Sequence, residues 1–230
     1  MKKILSILLV LLVCRSYAQL DSIKINPSNR NNTSGDFKTI FQNVESMGGY
    51  GAFTVGYLPL GDESAMLIGG RGGVIFNHFL SMGFYGYGFF SSPEYNEQLD
   101  DTYRYQLAGG CGGIYIEPIL GAKQAIHLSF PLFIGGGGIN YSNVDFRDNY
   151  NYSSDSQNYT LANDRFFIIE PGAEIEFNLF KNYRMSMGGS YRFASKVNLE
   201  KQIGFENVRF APQDVLNGFT ATLSLKLGLF

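Results

Sequence analysis

Between Ile169 and Leu179 the chain alternates without a break. Ile169, Pro171, Ala173, Ile175, Phe177 and Leu179 share one side of an extended backbone, and Glu170, Gly172, Glu174, Glu176 and Asn178 share the other. A period of two cannot be a helix, and one side carries three carboxylates. The same period marks eight segments, at about 48 to 58, 65 to 76, 79 to 91, 102 to 117, 124 to 140, 165 to 180, 182 to 194 and 217 to 230. Each has the length of a tilted strand crossing a bilayer, roughly 9 to 11 residues. Beyond Val13 no apolar run approaches the roughly 18 residues of a membrane-spanning helix.

The connections alternate as well. Asn77-His78, Pro118 to Lys123 and Lys181 are tight, whereas 92–101, 142–164 and 195–216 are long and mostly polar. Short turns on one side and long loops on the other are the layout of an up-and-down transmembrane barrel. The first link, Pro59 to Ser64, is the one short connection on the long-loop side.

Residues 1–18 have the three-part layout of a secretory signal peptide: Lys2 and Lys3, an apolar stretch from Ile4 to Val13, then Ser16-Tyr17-Ala18. Residues 19–47 follow as a polar leader and a short amphipathic helix carrying Phe37, Ile40, Phe41, Val44 and Met47, with Asp36 placed as N-cap and the barrel beginning at Gly48. Setting 1–18 aside leaves 15 basic against 20 acidic residues, a net charge of −5. A basic footprint for nucleic acid is absent. Cys111 is then the one cysteine left, so covalent staples are not what holds this fold.

Which side of the strands is wet decides between a soluble and a membrane barrel, because the first buries its apolar side and the second its polar side. The export signal and aromatics at strand ends (Tyr57, Phe90, Tyr103, Tyr105, Phe166 and Tyr183) favour the membrane. The third segment stays ambiguous, with aromatics on both sides. A soluble periplasmic lipocalin-like binder is the alternative.

With the terminal Leu223-Ser224-Leu225-Lys226-Leu227-Gly228-Leu229-Phe230 and eight alternating segments, the chain resembles small outer-membrane β-barrels of the OmpX and OmpA transmembrane-domain type, over about 48–230. The resemblance implies an all-β, eight-stranded antiparallel up-and-down barrel in the cell outer membrane, with the short N-terminal helix ahead of it. Its partners would be outer-membrane lipid, the barrel-assembly machinery that reads Phe230 as an insertion signal, and an extracellular ligand held by loops 92–101, 142–164 and 195–216. Phe230 departs from that pattern by lying one step out of phase with Leu225, Leu227 and Leu229.

Period two places Arg71, Arg104, Glu170, Glu174, Glu176, Arg184, Arg192 and Lys226 in the lumen. An eight-stranded barrel is just filled by its side chains. A closed core of paired charges is therefore expected ahead of a narrow pore, with Arg71 a partner for the acids of the sixth segment and Glu170 opposite Arg192. His127 and Ser129, two apart and on one side, with Glu170 across the lumen, are candidates for acyl transfer and faintly resemble the His-x-Ser pair of outer-membrane lipid A deacylases. The glycine-rich Leu67 to Phe76 lacks the Gly-Lys-Ser/Thr ending of a phosphate loop, and 145–159 lacks the pattern of a calcium loop. No cofactor, metal or catalysis is expected; the resulting reading is a non-enzymatic barrel, structural or surface-binding.

Overall fold

The computed structural model describes residues 46–96, 99–144, 160–203 and 206–230. The expected signal peptide (1–18) and the expected leader and amphipathic helix (19–47) lie outside them up to residue 45; Met47, expected on the helix, opens a strand instead. Within them the chain forms strands β1 (Met47–Leu60), β2 (Glu63–Phe76), β3 (Leu80–Ser91), β4 (Glu94–Asn96), β5 (Asp100–Leu120), β6 (Ile126–Ser129), β7 (Leu132–Val144), β8 (Thr160–Phe180), β9 (Tyr183–Ala194), β10 (Glu200–Ile203), β11 (Glu206–Arg209) and β12 (Gly218–Leu229). Every pairing is antiparallel. The order β1-β2-β3-β5-β7-β8-β9-β12 returns to β1, so the sheet closes on itself. This is the eight-stranded up-and-down barrel the alternation predicts; β4 extends the outer end of β5, and β10 with β11 forms a separate hairpin.

The fifth predicted segment is one wall position built from two strands. Pro131 has no N–H to give to a ladder, so regular pairing lapses between β6 and β7. The wall stays continuous because the Phe130 and Gly172 amides donate to the Pro118 and Pro131 carbonyls, at 3.0 and 2.8 Å. The alternation also keeps its phase: His127, Ser129 and Pro131 point inward before the break, and Ile139 and Tyr141 after it. On the tight side Asn77 and His78 both have positive φ, 49° and 60°, as the central residues of a type I′ turn require.

Outward residues are apolar and exposed on every wall position, among them Phe53, Ile68, Phe84, Ile114, Leu128, Ile169, Met187 and Leu225. Leaving such a belt in water would cost on the order of tens of kcal/mol, at roughly 1.5–3 kcal/mol per large side chain. The inward face carries the charges instead. A soluble barrel has the opposite arrangement, so the lipocalin-like alternative is overturned. The belt ends in aromatics at Tyr57, Phe90 and Tyr183, but Tyr105 and Phe166, expected there, point inward and are buried. The third segment also resolves, with Tyr85, Tyr87 and Phe89 inside and Phe84 and Phe90 outside.

The connection 195–217 is not a solvated loop. Val197, Leu199, Val215 and Leu216 are almost wholly buried and join Leu58, Leu60, Leu67, Leu107, Ile139 and Ile168 in an apolar cluster at the outer mouth. The segment is tied across the ring: the Gly61 amide donates to the Val215 carbonyl (3.1 Å), the Asn198 amide to Asp164 Oδ2 (2.6 Å), and Phe210 stacks on Tyr141 at 4.8 Å. Gly61 follows β1, Asp164 lies on β8 and Tyr141 on β7, so this strap spans the mouth and closes it.

Candidate site: the charged lumen

Two layers of charge fill the interior beneath the strap. The inner layer, toward the tight turns, gathers Arg71 from β2, Glu117 from β5, His127 and Ser129 from β6, Glu174 and Glu176 from β8, Arg184 from β9 and Lys226 from β12. Arg71 Nη2 donates to Glu174 Oε2 at 2.5 Å and to Glu117 Oε1 at 3.5 Å. Lys226 Nζ donates to Glu117 Oε1 at 2.9 Å and to Glu176, and lies 3.5 Å from Glu174. Tyr50 gives its hydroxyl hydrogen to Glu117 Oε2 at 2.8 Å and accepts from Tyr115 at 2.9 Å. Arg184 Nη1 lies 3.6 Å from Glu176.

The outer layer is sparser. Glu170 accepts from Tyr87 at 2.8 Å and from Ser190 at 2.5 Å. Arg192 donates to two carbonyls, Leu216 at 3.0 Å and Pro59 at 2.7 Å, and thereby holds the strap to β1. All four carboxylates (Glu117, Glu170, Glu174, Glu176) and all four cations (Arg71, Arg184, Arg192, Lys226) are buried. Equal numbers of each sign are what burial demands, because an ion taken out of water costs several kcal/mol unless partners replace its hydration.

Glycines make the room. The strands curve so tightly that inward Cα atoms crowd: a methyl group on Gly73 would strike the Met82 carbonyl and the Tyr115 hydroxyl, and one on Gly137 would strike the Gly110 carbonyl. Gly69 and Gly73 flank Arg71 on its own face, so the guanidinium can cross the lumen to β8. Between the layers remains a cavity of about 40 Å³, lined by Arg71, Tyr85, Tyr87, Glu170, Glu174 and Ser190 among others.

Of the residues placed in the lumen from sequence, Arg71, Glu170, Glu174, Glu176, Arg184, Arg192 and Lys226 are there, and Arg71 meets the sixth-segment acid it was matched with. Arg104 is a correction: its side chain is exposed and lies 5.0 Å from the Tyr95 ring. The phase of β5 is the reason. Tyr105, Leu107, Cys111, Tyr115 and Glu117 point inward, so Arg104 points out, and Glu117, absent from the set expected on sequence, becomes the acid shared by Arg71, Lys226 and Tyr50. The signal was in Ile114 and Ile116, an apolar pair that takes the lipid side and leaves Tyr115 and Glu117 the lumen.

The register is as expected, with Asn178 opposite Arg184 and, between the Ile169–Phe193 and Gly172–Ser190 pairs, Glu170 opposite Arg192, although Glu170 and Arg192 spend their hydrogen bonds on other partners. Nor do His127, Ser129 and Glu170 form a set. His127 Nε2 lies 2.9 Å from Glu176 Oε2 and Ser129 donates to Glu176 Oε1, also at 2.9 Å, so both serve one carboxylate that Lys226 already neutralises. A nucleophile needs its base as hydrogen-bond acceptor; Ser129 gives its hydrogen to Glu176. Glu117, Glu174 and Glu176 bring carboxylate oxygens within 4.8 Å of one another, a spacing a metal ion would accept, and the Lys226 ammonium sits among them. Phe230, one step out of phase, accordingly turns inward: its ring takes the Arg184 guanidinium at 3.9 Å and leans on Tyr50 at 5.8 Å.

No protein-family model matches the chain, and neither does any curated protein sequence. Among solved structures it is similar to the N-terminal β-barrel domain of Pseudomonas aeruginosa OprF, at 12% identity and a TM-score of 0.42 over 80% of this chain and 97% of that one. It is similar to Neisserial surface protein A, at 9% and 0.42 over 80% and 95%, and to a major outer membrane protein from Thermus thermophilus, at 11% and 0.42 over 79% and 99%. Likenesses this distant carry nothing about activity or ligand. The closed ring, the apolar exterior and the filled, charged interior stand without them and are the architecture of a transmembrane β-barrel. The chain folds as a closed eight-stranded antiparallel β-barrel with an apolar belt on its outside.

Proposed function

We propose that the barrel is a closed, non-enzymatic anchor that presents its outer connections to the surroundings of the cell. One observation carries the reading: four buried acids and four buried cations fill the lumen beneath an apolar seal, which leaves ions no path and His127 and Ser129 no substrate. Ligand binding then falls to 92–101, to 142–164 and, within 195–216, to the hairpin of β10 and β11, where Lys201, Gln202, Asn207 and Arg209 are exposed. The flanks of that hairpin belong to the seal. Reconstitution in planar bilayers tests the closed state, with no single-channel steps expected; steady conductance would favour the narrow pore. Mass spectra of lipid A from producing and non-producing cells test the deacylase alternative, and a lost acyl chain that returns with His127→Ala would establish it.

A further inference from the structure

The cavity between the two charge layers has an unusual balance of donors and acceptors. Among the described residues Arg71 Nε, which is buried, has no hydrogen-bond partner, although the same guanidinium is bound to Glu174 and Glu117 at its far end. The Tyr85 hydroxyl is also buried without one, set beside the Cys111 thiol, a weak acceptor at best. Both residues line the cavity, and so do Glu170 and Glu174, whose carboxylates accept only. Among the described residues Glu170 accepts hydrogen bonds from two neutral hydroxyls, those of Tyr87 and Ser190.

An anion would satisfy the donors and face two carboxylates. A cation would satisfy the carboxylates, leave both donors unmet and face Arg71. Only a neutral guest that accepts and donates answers both sides. A volume of about 40 Å³ exceeds the roughly 10–15 Å³ that one water molecule needs, and the walls offer more than the two to four polar partners that hold one.

We propose that this cavity is a water-binding site, in which a small cluster of waters accepts from Arg71 Nε and Tyr85 and donates to Glu170 and Glu174. The cluster joins the two charge layers into one hydrogen-bonded network running from Tyr87 and Ser190 through Arg71 to Lys226 and Glu176. It completes the pairing of a guanidinium that its protein partners leave half bound.

The test uses the full barrel in lipid nanodiscs with ¹⁵N-labelled arginine. The Arg71 Nε–H resonance should show a cross-peak at the water frequency; an observed, slowly exchanging Nε–H without one overturns the proposal. Bromide and rubidium salts should leave that resonance in place, whereas a saturable shift with either would assign the cavity to an ion and overturn it. Ser224→Leu fills the cavity from β12, and loss of the cross-peak in the folded variant is expected; its persistence would place the water elsewhere. Should that variant not fold, the two measurements on the unaltered protein still decide.

Discussion

At the scale of single residues, Lys226 and the inward glycines constrain the interior most. Lys226 is the cation toward which Glu117, Glu174 and Glu176 converge, so Lys226→Met leaves three buried carboxylates short of the one cation they share. Breaking a buried network from one side costs about 3–5 kcal/mol. A matching fall in unfolding free energy, read from urea titration of the barrel in vesicles, is expected. The glycines divide by face. Gly73 has no space for a methyl group, whereas a methyl on Gly51 would meet nothing within 4 Å. Gly73→Ala should therefore destabilise by about 1–3 kcal/mol through overpacking, and Gly51→Ala should stay within about 0.5 kcal/mol, as surface changes do. Equal effects would mean that the inward crowding does not limit the fold. What the sequence could not supply at this scale was partner identity. Period two puts a side chain on a face and, with the register, across from a given position, but it does not say which groups will bond, which is why Glu170 lies opposite Arg192 and yet accepts from Tyr87 and Ser190.

Individual strands were legible wherever one face was apolar and the other charged, as in β8, β9 and β12. They were illegible where both faces carried the same types. The outer half of β5 has Arg104, Gln106 and Ala108 on one side and Tyr105, Leu107 and Gly109 on the other, so the phase had to be read from its inner end, at Ile114 to Glu117. The strap was missed for a different reason. Its buried residues Val197, Leu199, Val215 and Leu216 lie at two ends of a polar segment, and only the closed ring brings them over one mouth. Cys111, buried inside the barrel, reports on that closure. In a Cys14→Ser chain Cys111 should resist a hydrophilic maleimide, and replacing Val215 and Leu216 with serine should expose it and speed its labelling at least about tenfold if opening costs fall by the roughly 1.4 kcal/mol that a tenfold change in an equilibrium represents. Unchanged labelling in a folded variant would show that these residues do not seal the mouth.

For the molecule as a whole, the decisive property is an exterior that water cannot solvate and an interior that lipid never reaches. Such a protein should sediment with outer membranes, and without boiling it should run at a different apparent size on a denaturing gel from the heated form, because detergent coats the closed barrel without opening it. A protein recovered in the soluble periplasmic fraction would contradict the belt of exposed apolar residues. Most of this scale was readable in advance, since eight alternating segments and alternating loop lengths leave few other architectures.

The seam between β1 and β12 has a consequence in time. Nine residue pairs, Gly49 with Leu229 through Tyr57 with Ala221, join the beginning of the barrel to its end, and the Thr54 and Ser224 hydroxyls that meet there at 2.8 Å are 170 positions apart along the chain. Contacts of such separation form late, because the entropy of closing the longest loop is lost before the contact returns anything. Until β12 arrives, β1 and β9 are both open edges, each with a row of unpaired backbone groups. A chain cut short before Gly218 therefore has no smaller barrel to become; it is all edge, and its assembly is a single event that waits for the last strand.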